Sequence, residues 1–207
     1  MKQKLFSSIC LVLAIVIIVT TSTTFAYFVA TSENTTSISG KTADFNVKLA
    51  LTTVHKSTNM VPLKDSLVVT SIKNTNKCID KNNYEVCSLY KLTLSNTGGS
   101  SFTLTGYLKT SSTTYTASNL KYQIYDINYN AVTDVLTPSL TADQKVYFQK
   151  DSNNVETTIN STNIEYYLVM WITETNTMQT DDYAKTYDGV VGFETSGGGV
   201  LEANLPT

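Results

Sequence analysis

The strongest pattern in the chain is an alternation over residues 163–174. Its even positions, Ile164, Tyr166, Leu168, Met170 and Ile172, are all apolar or aromatic. Its odd positions carry Asn163, Glu165 and Thr173 at the ends, with Tyr167, Val169 and Trp171 between them. Successive side chains of a strand leave on opposite faces, so this period of two predicts a strand with one wholly apolar face and one apolar only in its middle. Such a strand belongs inside a sheet, not at its edge. The single tryptophan lies on it, which puts the expected centre of the hydrophobic core here.

The same period recurs elsewhere. Over residues 44–51, Phe45, Val47, Leu49 and Leu51 share a face. A second apolar run at 66–72 follows in the strand series and ends in a polar loop at 73–77. In 88–95, Tyr90, Leu92 and Leu94 share a face, and the break Asn96-Thr97-Gly98-Gly99-Ser100 predicts a hairpin into 102–108. Shorter alternating segments fall at 120–124 and 145–149, with a single helical turn expected at 138–144 between them and a turn at 151–154. Beyond the central strand, a polar loop at 175–183 leads to a strand at 186–194 that contains Gly189 and Gly192. Gly197, Gly198 and Gly199 then release residues 196–207 as a flexible tail.

No stretch after the first thirty residues holds an apolar period of 3.6. Many short strands with turn signals between them predict an all-β fold, an antiparallel β-sandwich or jelly roll, over residues 43–195. Residues 27–42 are polar and read as an arm or an edge strand.

The first residues belong to targeting, not to the fold. Lys2 and Lys4 make a basic start, residues 5–19 are almost wholly apolar, and a Thr-rich stretch leads to Phe25-Ala26-Tyr27-Phe28. Residues 1–26 read as a signal peptide, helical in its apolar part and cleaved near Ala26. The alternative is an uncleaved anchor, since a run to Ala30 is long enough for a bilayer core of about 30 Å. Cys10 stands at the start of the apolar run, where a lipid-modified cysteine would stand at its end, so it reads as one more apolar residue.

Composition changes this picture in two ways. At 42% hydrophobic, the 207 residues suffice for one domain with an ordinary core. All fifteen basic residues are lysines, and without arginine there is no guanidinium fork for phosphate or guanine, so no nucleic-acid partner is expected. Without residues 1–26 the chain holds thirteen lysines against seventeen acids, a net charge of −4.

Candidate chemistry is sparse. Cys78 and Cys87 flank a turn-rich Lys-Asn-Asn, and in an exported chain they read as a disulfide-closed loop. Two loops offer oxygen atoms, Asp80, Asn82, Asn83 and Glu85 in one, and Glu174, Asp181, Asp182 and Asp188 in or beside the other. Neither has the spacing of a known calcium loop, and both read as solvated turns. His55 is the sole histidine and has no partner for a zinc site, nor a nucleophile-elbow pattern to serve as a base. No cofactor, metal, small-molecule substrate or catalytic activity is expected.

The leader ending Thr24-Phe25-Ala26-Tyr27-Phe28, followed by the alternating Ala43-Asp44-Phe45-Asn46-Val47-Lys48-Leu49, resembles the TasA/camelysin family of exported Gram-positive proteins. The pair formed by 166–172 and 185–193 is similar to the closing hairpin of related secreted β-proteins, and the Cys78-to-Lys91 segment looks like a feature of the same group. The resemblance implies a jelly-roll domain released by a dedicated signal peptidase and self-associating into extracellular matrix fibres of the kind found in biofilms. The peptidase label attached to camelysin does not carry over, because one histidine cannot supply the usual zinc ligands. Val29-Ala30 also stands where the family often has an acidic or polar residue.

The arm at 27–42 is long enough to add a strand to a neighbour's sheet edge, which supplies the expected mode of self-association. A retained leader would instead hold the domain at a membrane as a surface adhesion module. N-terminal sequencing of the extracellular protein separates these: a start near Tyr27 is expected, and an intact Met1 would establish the anchored form.

Overall fold

The computed structural model describes Thr36–Ser37, as backbone, and residues 46–73 and 78–206. The expected signal helix, most of the arm and Phe45 lie outside these residues. Among them the chain folds as two packed antiparallel sheets, the β-sandwich anticipated from the alternation. The first sheet has the order β1-β2-β3-β10-β5, made of β1 (Thr36–Ser37), β2 (Val47–His55), β3 (Cys87–Asn96), β10 (Ile164–Ile172) and β5 (Leu120–Asp126). The second runs β12-β11-β4-β6, made of β12 (Val200–Asn204), β11 (Tyr187–Thr195), β4 (Phe102–Thr113) and β6 (Lys145–Tyr147), with β9 (Glu156–Ile159) also paired to β4. A small ladder joins β7 (Gln149–Lys150) to β8 (Asn153–Asn154) through Asp151 and Ser152, both at positive φ as a tight two-residue hairpin requires.

The predicted central strand is β10, which lies between β3 and β5. Its even face sends Leu168, Met170 and Ile172 into the core between the sheets, against Leu104, Leu108, Val191 and Phe193. Its odd face sends Val169 and Trp171 the other way, into a second cluster with Leu63, Val68, Ile72, Val86 and Leu89. That cluster is the underside of a cap, made of a 3-10 turn (Asp65–Leu67), the short helix α1 (Val68–Lys73) and the loop closed by Cys78 and Cys87. Trp171 is fully buried, but its place is beneath the cap and not between the sheets. Its indole N–H donates to Asp65 Oδ1 at 2.8 Å, so the ring is covered without an orphaned donor.

Several local expectations are corrected. The run at 66–72 is helical, because Val68 and Ile72, four residues apart, lie on one face of a turn that covers the sheet. Strands β3 and β4 do not form a hairpin; they sit in different sheets, and the connection arches from one layer to the other. Asn96, nearly fully buried, braces that arch by donating to Ser100 O at 2.7 Å and accepting from the Gly98 N–H at 2.9 Å. The pair β10 and β11 is likewise divided between sheets, so no closing hairpin exists there. Residues 138–144 form turns and bends without a helical turn.

The expected tail at 196–207 is also corrected. Gly198 at φ +85° turns the chain into β12, which pairs with β11 from Val190↔Asn204 to Glu194↔Val200 and buries Leu201 and Ala203, with Leu205 just beyond. The glycines serve a turn, not a tether. Gly192 has a different reason: the Tyr107 ring lies where its Cβ would stand. Because Leu201 is fully buried, Leu201→Ala is expected to destabilise the domain by about 2–5 kcal/mol in a denaturant melt. A tail position would show no measurable change.

Candidate functional site

The disulfide loop is the first place where sequence expectations meet geometry. Cys78 and Cys87 are bonded, with Cα atoms 5.0 Å apart and both residues fully buried. Asp80 accepts the backbone N–H groups of Asn82 and Tyr84 at 2.8 and 2.9 Å, the turn role anticipated for it, and Asn83 sits at positive φ. Glu85 does something the sequence did not signal. Its Oε2 accepts the Ser57 hydroxyl at 3.0 Å and the Thr58 N–H at 3.1 Å, and its carbonyl accepts the Val61 N–H at 2.9 Å. The loop therefore fastens residues 57–61, which follow β2.

His55 ends β2 with Nε2 buried, without a hydrogen bond, 3.8 Å from Glu85 Oε1. Ser57, His55 and Glu85 are thus neighbours, but the serine hydroxyl is spent on Glu85 and not on the imidazole. The geometry therefore gives Ser57 no base to activate it. Among the described residues, no group of three or more His, Cys, Asp or Glu side chains converges as a metal site would require.

The second acidic group is dispersed. Glu174 is exposed, with its N–H donating to Leu63 O at 2.9 Å, and Asp181 is exposed in the 3-10 turn Thr180–Asp182. Asp188 accepts the Ser112 hydroxyl at 2.6 Å across β11 and β4. Asp182 differs from the rest: it is 7% exposed, and its Oδ2 accepts from Asn119 Nδ2 at 2.9 Å and Gln179 Nε2 at 3.0 Å. No hydrogen bond reaches its Oδ1 from the described residues.

Asp182 lines a cleft of about 230 Å³ between residues 57–61 and 182–185. Tyr115 and Ile172, both buried, also line it, as do Met60 and Val61. Tyr115 is 8% exposed, and its hydroxyl has no hydrogen bond with the described residues. Burial, reinforced by the nearby Asp182, pushes that hydroxyl up to about 12, so it remains a donor at neutral pH. At the rim stand Lys185 and Tyr183, the latter 80% exposed. Both walls are tied down, one by Glu85 and the other by Asn119, Gln179 and the Thr186 N–H bond to Thr114 Oγ1 at 2.7 Å. The sequence offered little sign of this cleft, since its residues come from four separate segments.

A further polar network covers the outer face of the second sheet. Glu202 accepts the Tyr107 hydroxyl at 2.7 Å and pairs with Lys109 at 2.8 Å, while Glu194 accepts Tyr147 at 2.7 Å and pairs with Lys145 at 2.6 Å. Lys145 Nζ also lies 4.2 Å above the Tyr107 ring. These groups satisfy one another and brace the sheet.

No protein-family model matches the chain, and no curated protein does. A solved structure titled "X-ray structure of Northeast Structural Genomics Consortium target SoR45" is similar over 80% of this chain and 85% of its own length, at 13% identity and a TM-score of 0.24. So low a score says nothing of what the chain does.

The pH behaviour of Glu85 follows from its contacts. Burial pushes its carboxyl up, but the hydrogen bonds from Thr58 and Ser57 and the nearby His55 outweigh this and leave it below its ordinary value of 4.5. A carboxyl lowered by folding contributes stability above its unfolded value, lost as pH falls through the folded one. Thermal melts are therefore expected to show the wild type losing stability below about pH 4.5 more steeply than Glu85→Gln. Parallel pH profiles would show that Glu85 holds nothing in place.

Proposed function

We propose that this chain is an exported, cell-surface structural protein whose copies join by β-strand addition at one edge of the first sheet. The observation that supports this reading is the unequal treatment of that sheet's two edges. At one edge β5 is sealed by residues 131–136, through bridges Tyr122↔Leu136 and Tyr125↔Ala131 and the Ile124 N–H bond to Thr133 Oγ1 at 3.0 Å. At the other, β2 has nine residues, but among the described residues only Leu49 and Lys48 have ladder partners on the side away from β3, in the two-residue β1. An exposed row of backbone donors and acceptors is a template for another strand.

The partner in β1 comes from the arm at 27–42, so the segment that pairs with this edge in its own molecule is a natural donor to a neighbour's. The disulfide suits a chain that works in an oxidising compartment. Among the described residues no helix is long and apolar enough to cross a membrane. The reading is non-enzymatic, in keeping with the unactivated Ser57 and His55.

Electron microscopy tests it. The exported chain is expected to form filaments, and a chain lacking residues 27–42 to form none while melting cooperatively near the full-length temperature. Filaments unchanged by the deletion, or none from the full-length chain, would overturn the assembly reading.

A further inference from the structure

We propose that the cleft between residues 57–61 and 182–185 binds one sugar ring of a neutral glycan, with Asp182 Oδ1 and the Tyr115 hydroxyl as hydrogen-bond partners and Tyr183 as the stacking face. This goes beyond assembly and does not depend on it, because the cleft lies outside the ladder of the β2 edge. It also departs from the expectation that the chain has no small-molecule ligand.

Size is the first argument. At about 230 Å³ the cleft falls below the ~300 Å³ at which sites for drug-sized ligands begin, and suits a single ring. Polarity is the second. Asp182 and Tyr115 both line the cleft, and among the described residues Asp182 Oδ1 and the Tyr115 hydroxyl are left without a protein partner, open to solvent or to a ligand. An unspent acceptor and an unspent donor in one cleft suit a ligand that supplies both a donor and an acceptor. Adjacent hydroxyls of a sugar supply both. An alkyl or aromatic ligand supplies neither.

Charge narrows the class. Asp182 and Lys185 line the same cleft with opposite signs. An ammonium would meet Lys185 and an anion would meet Asp182, whereas a neutral polyhydroxyl ring conflicts with neither. Shape completes the case: Met60, Val61 and Ile172 offer apolar contact to a ring's C–H face, and Tyr183 leaves 80% of its surface in solvent beside them. The anchoring of both walls means that little ordering is needed on binding, which favours recognition by a small cleft.

The test is a ¹⁵N NMR titration of the full exported chain with cellotriose, chitotriose and maltotriose, run beside propylammonium chloride. At least one sugar is expected to give saturable shifts confined to amides of residues 57–61, 115 and 182–185. Tyr183→Ala, at an exposed position that leaves the core untouched, is expected to weaken that binding by about tenfold, the scale of one aromatic contact. Tyr115→Phe, which removes only the hydroxyl, is expected to weaken it as well with an unchanged melting temperature. Absence of saturable shifts with every sugar, wild-type affinity in both variants, or saturation by propylammonium in place of the sugars would each overturn the proposal.

Discussion

A strand that is apolar on both faces needs cover on both, and β10 imposes that demand on the whole molecule. Leu168, Met170 and Ile172 are covered by the second sheet, as in any sandwich. Val169 and Trp171 on the opposite face pack against a cap, not against another sheet. The cap supplies the missing layer: α1 brings Val68 and Ile72, residues 61–65 bring Leu63 and Asp65, and the disulfide loop brings Val86. The Trp171-to-Asp65 hydrogen bond joins the strand to the cap at the point where a large ring carries its one polar atom. Without it an indole N–H would be buried unpaired, at a cost of about 1–3 kcal/mol.

The cap has a second consequence. A loop closed by a buried disulfide is stiff, and the chain-entropy argument assigns such a closure roughly 2.5–3 kcal/mol. That stiffness is passed on by Glu85, whose side chain and backbone together hold residues 57–61 through three hydrogen bonds. One wall of the cleft is therefore an outgrowth of the layer that buries Trp171. The opposite wall is fixed by Asp182, through an asparagine beside β5 and a glutamine of its own loop. Parts of the chain that serve stability first thus shape the concave surface.

The two sheets manage their edges differently. In the second sheet β4 is an inner strand, with β11 on one side and, on the other, β9 at residues 102–105 and β6 at residues 107–109. Strand β5 is sealed by a loop that uses Thr133 as a side-chain substitute for a strand partner. Strand β2 is nine residues long and, among the described residues, has a neighbour of only two residues on its outer side. Lys48 stands at that neighbour, and Thr52 and Thr53 are exposed beyond it, a polar surface that disfavours nonspecific sticking.

Much of the architecture was legible in the residues alone. Alternation identified β2, β3, β4, β5, β10 and β11, and the mixed odd face of β10 correctly implied an internal strand whose second face is covered only in part. The pairing of Cys78 with Cys87 was readable because two cysteines flank a turn in a chain whose first residues read as an export leader. What alternation cannot say is which layer a strand joins. The same five polar and glycine residues after Asn96 serve equally for a hairpin or an arch, and only packing Leu92 and Leu94 against Leu104 and Leu108 across the interior decides for the arch. Likewise, 66–72 has the β-branched residues of a strand, but Trp171 needed a compact lid, and a helix brings Val68 and Ile72 to one face. Three glycines read as a tether until Leu201 found a vacant place in the core. The sequence by itself determined the alternation, the cysteine pair and the polar turns, because these depend on near neighbours. Tertiary structure alone decided the sheet assignment, the cap and the cleft of Tyr115, Asp182 and residues 57–61, because burial is settled by whichever distant segment arrives to exclude water.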